Sequence, residues 1–178
     1  MAESKQLPRE ALRERLEALR RERPGLRVVL LNGVFDLLHA GHVEVLEAAR
    51  AEGDLLVVAL NDDASARRRK GPGRPFQPLE DRMRILAAFA AVDYVTAFPE
   101  TDLAATLRLL RPAVHAKGAD YREEDLPATE RAAARDCGIE LRLVGPPKRA
   151  SSSGLARRIR EAHPPGTQDA KGPEGAGA

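Results

Sequence analysis

Leu26-Arg27-Val28-Val29-Leu30-Leu31-Asn32-Gly33-Val34-Phe35-Asp36-Leu37-Leu38-His39-Ala40-Gly41-His42 is the stretch that decides the reading of this 178-residue chain. Its first six residues are almost continuously apolar, the pattern of a strand covered on both faces. Asn32-Gly33 ends that run. A helical pattern follows from about Gly41 to Arg50 and stops near Gly53. A buried strand that hands over to a helix is the repeating half of a parallel βαβ unit.

The same alternation continues outward in both directions. Upstream, Leu12, Leu16 and Leu19 share one helical face within residues 9–22, and Pro24-Gly25 stops that helix. Downstream, strand patterns at Leu55–Leu60, Val92–Ala97, Ala113–Lys117 and Ile139–Val144 alternate with helical ones. The helices are expected at about Pro78 to Ala90, at 102–110, within 123–136 and from about Ser152 to Ala162, and residues 61–77 read as a polar loop. Five short apolar strands separated by helices predict an α/β fold: a Rossmann-like five-stranded parallel sheet with helices on both faces and an extra N-terminal helix. The expected division is an N-terminal helical extension over 1–25, one domain over 26–162, and a Pro/Gly/Ala-rich disordered tail over 163–178.

Composition narrows the class without naming a chemistry. Lys and Arg number 29 against 27 Asp and Glu, a net charge of +2, which does not announce nucleic acid as a partner. Of the basic residues 24 are Arg, a bias spread along the whole chain, so no single Arg cluster speaks loudly. The lone Cys137 excludes a disulfide framework or a Cys-built zinc site. No apolar run approaches the roughly 20 residues of a membrane span, and the N-terminus has no signal-type apolar segment, so a cytoplasmic location is expected.

In open parallel sheets ligands bind beyond the carboxyl ends of the strands, so residues just after each strand are the informative ones. The first group is Gly33, Phe35, Asp36, His39, Gly41 and His42 at the entry to a helix, whose free N–H groups and dipole favour an anion. Imidazole N–H donors suit phosphate oxygens on which charge grows, and Gly41 allows close backbone approach. The plain alternative is a polar turn with one His capping the helix. A zinc reading of His-x-x-His finds no third ligand besides Asp36.

Three further groups pass the same filter. Asn61-Asp62-Asp63 through Arg67-Arg68-Arg69-Lys70-Gly71 follows the second strand, either as a triphosphate clamp or as a solvated basic loop. Lys117-Gly118-Ala119-Asp120-Tyr121 ends the fourth strand, either as a substrate contact or as a turn with a charge pair. Arg149-Ala150-Ser151-Ser152-Ser153-Gly154 opens the last helix, either as a phosphate cradle or as ordinary capping. The P-loop, the Gly-x-Gly-x-x-Gly turn and the Gly-x-Ser-x-Gly elbow are absent from their required contexts.

With those residues assembled, the chain resembles the His-x-Gly-His nucleotidyltransferases. It looks most like the bacterial heptose 1-phosphate nucleotidyltransferases, including the adenylyltransferase half of the bifunctional heptose-phosphate kinase/adenylyltransferase. The finer likeness runs through Asn61-Asp62-Asp63-Ala64-Ser65, Lys70-Gly71, Pro78-Leu79-Glu80-Asp81-Arg82-Met83 and Lys117-Gly118-Ala119-Asp120-Tyr121, over roughly residues 26–162. Arg67 stands where many relatives have Lys, His115-Ala116 replaces aliphatic residues, Ala119 a common Gly, and Ser151-Ser152-Ser153 a commoner Ser-Thr-Thr.

The resemblance implies transfer of a nucleotidyl group, adenylyl first among them, from ATP (or GTP or CTP) to D-glycero-D-manno-heptose 1-phosphate. NDP-heptose for cell-surface glycan and pyrophosphate would be the products. It implies catalytic roles for His39, His42, Arg67 and Lys70. Gly33, Phe35, Asp36, Gly41, Lys117, Gly118, Arg149, Ser151, Ser152 and Ser153 would bind nucleotide, and Asp63, Asp120 and Tyr121 substrate. Mg²⁺ would arrive with the triphosphate without a protein ligand set. A homodimer and a separate upstream sugar kinase are expected, with neither nucleic acid nor membrane as partner. Two alternatives are a cytidylyltransferase for a polyol phosphate such as glycerol 3-phosphate, and a non-catalytic nucleotide- or RNA-binding protein.

Overall fold

The computed structural model describes residues 3–147 and 151–163. After a short 3-10 turn at Glu3–Lys5 come α1 (Arg9–Glu22), β1 (Val28–Gly33), α2 (Ala40–Ala51), β2 (Leu55–Asn61), α3 (Asp63–Lys70), α4 (Leu79–Ala87) and β3 (Tyr94–Phe98). Then follow α5 (Ala104–Leu110), β4 (Val114–Gly118), a 3-10 turn at Glu123–Asp125, α6 (Ala128–Asp136), β5 (Glu140–Val144) and α7 (Ser152–Ala162). The five strands form one parallel sheet in the order β3-β2-β1-β4-β5. This is the doubly wound arrangement expected from the alternation.

Strand alternation sorts the apolar residues of β1 to two cores. Val29 and Leu31 join Leu46, Leu56, Val58, Leu86 and Val114 beneath α2 and α4. Val28 and Leu30 join Leu12, Leu16, Val57, Leu103, Leu107 and Ala133 beneath α1, α5 and α6. The N-terminal helix packs on the sheet, with Leu12 and Leu16 of α1 wholly enclosed. Gly53 is required at the turn into β2, where a Cβ would stand 2.6 Å from the Arg27 carbonyl oxygen.

The structure corrects the reading of 61–77 as a loop, because α3 occupies its first half. Asp62 caps that helix by accepting from the Ser65 amide at 2.6 Å, and Gly71, at φ 91°, ends it. Arg and Lys are good helix formers, so the basic run propagates the helix while leaving almost no apolar stripe to betray it. The helix expected within 123–136 is shorter, preceded by the 3-10 turn.

The chain leaves β1 to build β2 and β3 on one side, then returns to place β4 on the other. That reversal makes a crevice above the carboxyl ends of β1 and β4. Among the described residues no helix is long and apolar enough to cross a membrane.

Candidate active site

A cavity opens at this switch point. Its wall includes Gly33, Phe35, Asp36, His39, Gly41 and His42 from the β1–α2 connection, and Lys117, Gly118, Asp120 and Tyr121 from the end of β4. Lys70 comes from α3, and Ser151, Ser152 and Ser153 come from the start of α7. Segments far apart in sequence thus meet at one place. Arg149 lies outside the described residues.

The two histidines stand at the N-terminus of α2, with rings stacked 3.9 Å apart between centroids and inclined by 30°. The His39 amide donates to Nδ1 of His42 at 3.3 Å. That nitrogen must therefore carry a lone pair, and in the neutral ring the proton sits on Nε2, which becomes the donor. Phe35, held at φ 49°, sets its ring 5.3 Å from that of His42. Both glycines serve this packing. A Cβ on Gly33 would meet the Phe35 ring at 3.0 Å, and one on Gly41 would meet His39 Nδ1 at 3.2 Å.

Asp36 faces the cavity but its oxygens are engaged. One accepts from Arg74 Nη1 at 2.5 Å, the other from the Phe76 and Gln77 amides at 2.7 and 3.1 Å. Arg74 also lies 3.9 Å over the Phe76 ring. The carboxylate thus fastens the 71–78 segment against the histidine loop.

Two expected residues stand outside the cavity wall. All of Arg67, Arg69 and Lys70 are exposed on α3, but only Arg69 and Lys70, one turn beyond buried Ala66, line the crevice. Asp63 pairs with Arg82 at 2.7 Å and does not line the cavity. At α7, Ser151 caps the helix by accepting from the Gly154 amide at 3.0 Å. Ser152 donates to the Leu37 carbonyl at 2.7 Å, tying α7 to the histidine loop, and Ser153 stays exposed.

Sequence reasoning gave no role to four residues that organise this site, Asn32, Arg82, His115 and Glu130. Arg82, whose side chain has no exposure, donates to the carbonyls of Val34, Asn61 and Gln77 and to Asp63. It thereby joins the ends of β1 and β2 to α3. Lys117 Nζ donates to Asn32 Oδ1 at 2.7 Å and lies 3.4 Å from Glu130 Oε2 of α6. His115 Nε2 reaches the same Asn32 oxygen at 3.2 Å. Burial, reinforced by the Lys117 charge, pushes the His115 pKa down to about 3, so the ring is neutral and donates that bond. A sequence signal existed for two of them. Arg82 sits one turn before Leu86, and Glu130 one turn before Ala133 and Ala134, charges on otherwise apolar faces.

Comparison with known proteins agrees with this geometry. A family described as cytidylyltransferase-like matches residues 30–145. The bifunctional protein HldE of Azotobacter vinelandii is 45% identical over 136 residues, which cover 76% of this chain and 28% of that protein. The bifunctional protein HldE of Pseudomonas syringae pv. syringae is 46% identical over 134 residues, 75% of this chain and again 28% of its relative. The chain thus spans little more than a quarter of these relatives. Among solved structures, the lipopolysaccharide core biosynthesis protein from Thermoplasma volcanium GSS1 superposes with TM-score 0.56 at 27% identity, covering 67% of this chain and 94% of that one. Pantothenate synthetase from Thermus thermophilus shares the fold, with TM-score 0.55 at 20% identity, over 87% of this chain and 67% of its own. With the family match extending from β1 through β5, the chain belongs to the cytidylyltransferase-like family.

Proposed function

We propose that this chain transfers an adenylyl group from ATP to D-glycero-D-manno-heptose 1-phosphate, giving ADP-heptose and pyrophosphate. A sugar-phosphate oxygen forms a bond to the α-phosphorus while the bond from that phosphorus to the bridging oxygen breaks, and pyrophosphate leaves with the electron pair. No protein nucleophile is needed, so positioning and charge stabilisation supply the acceleration. The observation that carries the reading is the stacked His39–His42 pair at a helix N-terminus, in one cavity with Lys70, Arg69 and the start of α7.

In this reading Nε2–H of His42 and the α2 N-terminus face phosphate oxygens on which charge shifts toward the leaving group. Arg69 and Lys70 clamp the triphosphate, with Ser153 and the first turn of α7 opposite them. Lys117, Asp120 and Tyr121 contact base or sugar. Among the described residues no three His, Cys, Asp or Glu side chains gather to hold a metal, and the Asp36 carboxylate already accepts three hydrogen bonds. That donor set fits Mg²⁺ carried by phosphate and water oxygens, where it neutralises phosphate charge. A homodimer, a cytoplasmic setting and a separate sugar kinase supplying the 1-phosphate complete the reading.

A pyrophosphate-release screen of ATP, GTP and CTP against heptose 1-phosphates and glycerol 3-phosphate tests it. ATP with a heptose 1-phosphate should give the highest turnover. Release only from CTP with glycerol 3-phosphate would replace this reading by a polyol-phosphate cytidylyltransferase. No release from any pair, with tight oligonucleotide binding, would replace it by a binding protein.

A further inference from the structure

Glu130 lies on α6, outside the cavity wall, yet it is 3% exposed and reaches Lys117, which lines that wall at the end of β4. We propose that Glu130 is a positioning residue of the nucleotidyl-transfer site, holding Lys117 as a fixed, charged donor to the bound nucleotide. The proposal rests on reading the cavity as a nucleotide site.

The carboxylate is itself held. Its Oε1 accepts from the Leu103 amide at 2.9 Å, at the entry to α5, and its Oε2 is presented to Lys117. The ammonium has three donors. Asn32 takes one of them and the Glu130 carboxylate stands 3.4 Å from the nitrogen, so the ammonium keeps donor capacity for a ligand in the cavity that Lys117 lines. The carbonyl oxygen of the Asn32 amide is shared with His115, so the register of the lysine is set from β1, β4 and α6 together.

The charges around Lys117 pull in opposite directions. Burial pushes its pKa down, Arg69 of α3 pushes the same way, and Glu130 opposes both. His115 beside it on β4 is neutral, Asp120 lines the cavity beyond it, and the Tyr121 ring centroid is 5.5 Å from Nζ. A buried lysine that loses its counter-ion sheds its proton more readily. Removing the Glu130 charge should therefore leave Lys117 a neutral amine over more of the working pH range.

Glu130→Gln tests this in the full chain, since the amide oxygen still accepts from Leu103. The Lys117 ε-carbon resonance, assigned by its disappearance in Lys117→Met, is followed against pH. Its midpoint should fall by at least about one unit in Glu130→Gln, a tenfold loss of proton affinity. An unchanged midpoint overturns the proposal. Should Glu130→Gln not fold, Glu130→Asp, which keeps the charge at a longer reach, should give a smaller fall, and an unchanged midpoint there again overturns it. Calorimetric titration with ATP and Mg²⁺ supplies the functional arm. Affinity of Glu130→Gln should decline as pH rises through the lowered midpoint, and Glu130→Gln should cost nothing further in a Lys117→Met background. Additive losses in that double variant would mark Glu130 as merely structural. If the wild-type chain bound no ATP, the nucleotide reading would fall, while the resonance titration would still decide whether Glu130 holds the Lys117 charge.

Discussion

Replacing Arg82 by Met removes a guanidinium that is fully enclosed and spends its donors on four acceptors. Met has a similar unbranched stem, so the packing loss is small and the polar loss dominates. Asp63 is 42% exposed in its side chain and recovers water once released. The carbonyls of Val34, Asn61 and Gln77 lose a charged donor 2.7, 3.0 and 3.0 Å away. At about 1–1.5 kcal/mol for each weakened buried acceptor, the variant should lose about 3–5 kcal/mol. For a chain of this size that lowers the midpoint of thermal unfolding by roughly 6–20 °C. Chemical denaturation followed by circular dichroism measures the first quantity and thermal melting the second. Arg82→Lys, with a single point charge, should recover only part of the loss. Because Val34 and Asn61 stand where β1 and β2 open into the cavity, turnover should fall at temperatures where Arg82→Met is still folded. A variant within about 1 kcal/mol of wild type would refute the view that Arg82 joins the two strand ends.

His42→Ala should leave the melting curve nearly unchanged but lower turnover by about 10²–10³, the usual effect of removing one preorganised donor; near wild-type turnover would dismiss the assigned role. Lys70→Ala should raise KM for the nucleotide at least severalfold, whereas Arg67→Ala, on the outer side of α3, should leave it within about twofold, and steady-state kinetics with ATP as the varied substrate separates the two. His115 titrates near 3 in the fold against an ordinary value of 6.5, so the unfolded chain binds the extra proton between those values. The stability this contributes is fully present above about pH 6.5 and is lost as pH falls toward 3. His115→Gln should therefore show a shallower fall in denaturation midpoint between pH 6.5 and 4, and an acid limb identical to wild type would contradict the buried neutral ring.

The apolar runs determined the architecture without help from tertiary contacts. Val28–Leu31, Leu56–Leu60 and Val114–Ala116 can be satisfied only by cover on both faces, and their alternation with helices allows little besides a parallel doubly wound sheet. The histidine pair was legible for a related reason. His39, Gly41 and His42 fall within one turn at the start of α2, soon after β1 ends, so their neighbourhood is a matter of local geometry. What the chain order could not express is which side chains point into the crevice. The phase of α3 selects Lys70 and Arg69 over Arg67, and that phase shows in the burial of Ser65 and Ala66, which a run of polar residues does not announce. Nor could local patterns reveal that Asp36 is consumed by Arg74 and two amides, or that Arg82 and Glu130 brace the site from behind. Apart from Gln77, five residues from Arg82, those partners are separated by 13 to 48 residues along the chain, and burial couples them only once the sheet has brought β1, β2 and β4 side by side. Backbone pattern follows from local chemistry; the commitment of each charge is decided by which desolvated neighbour the fold delivers to it.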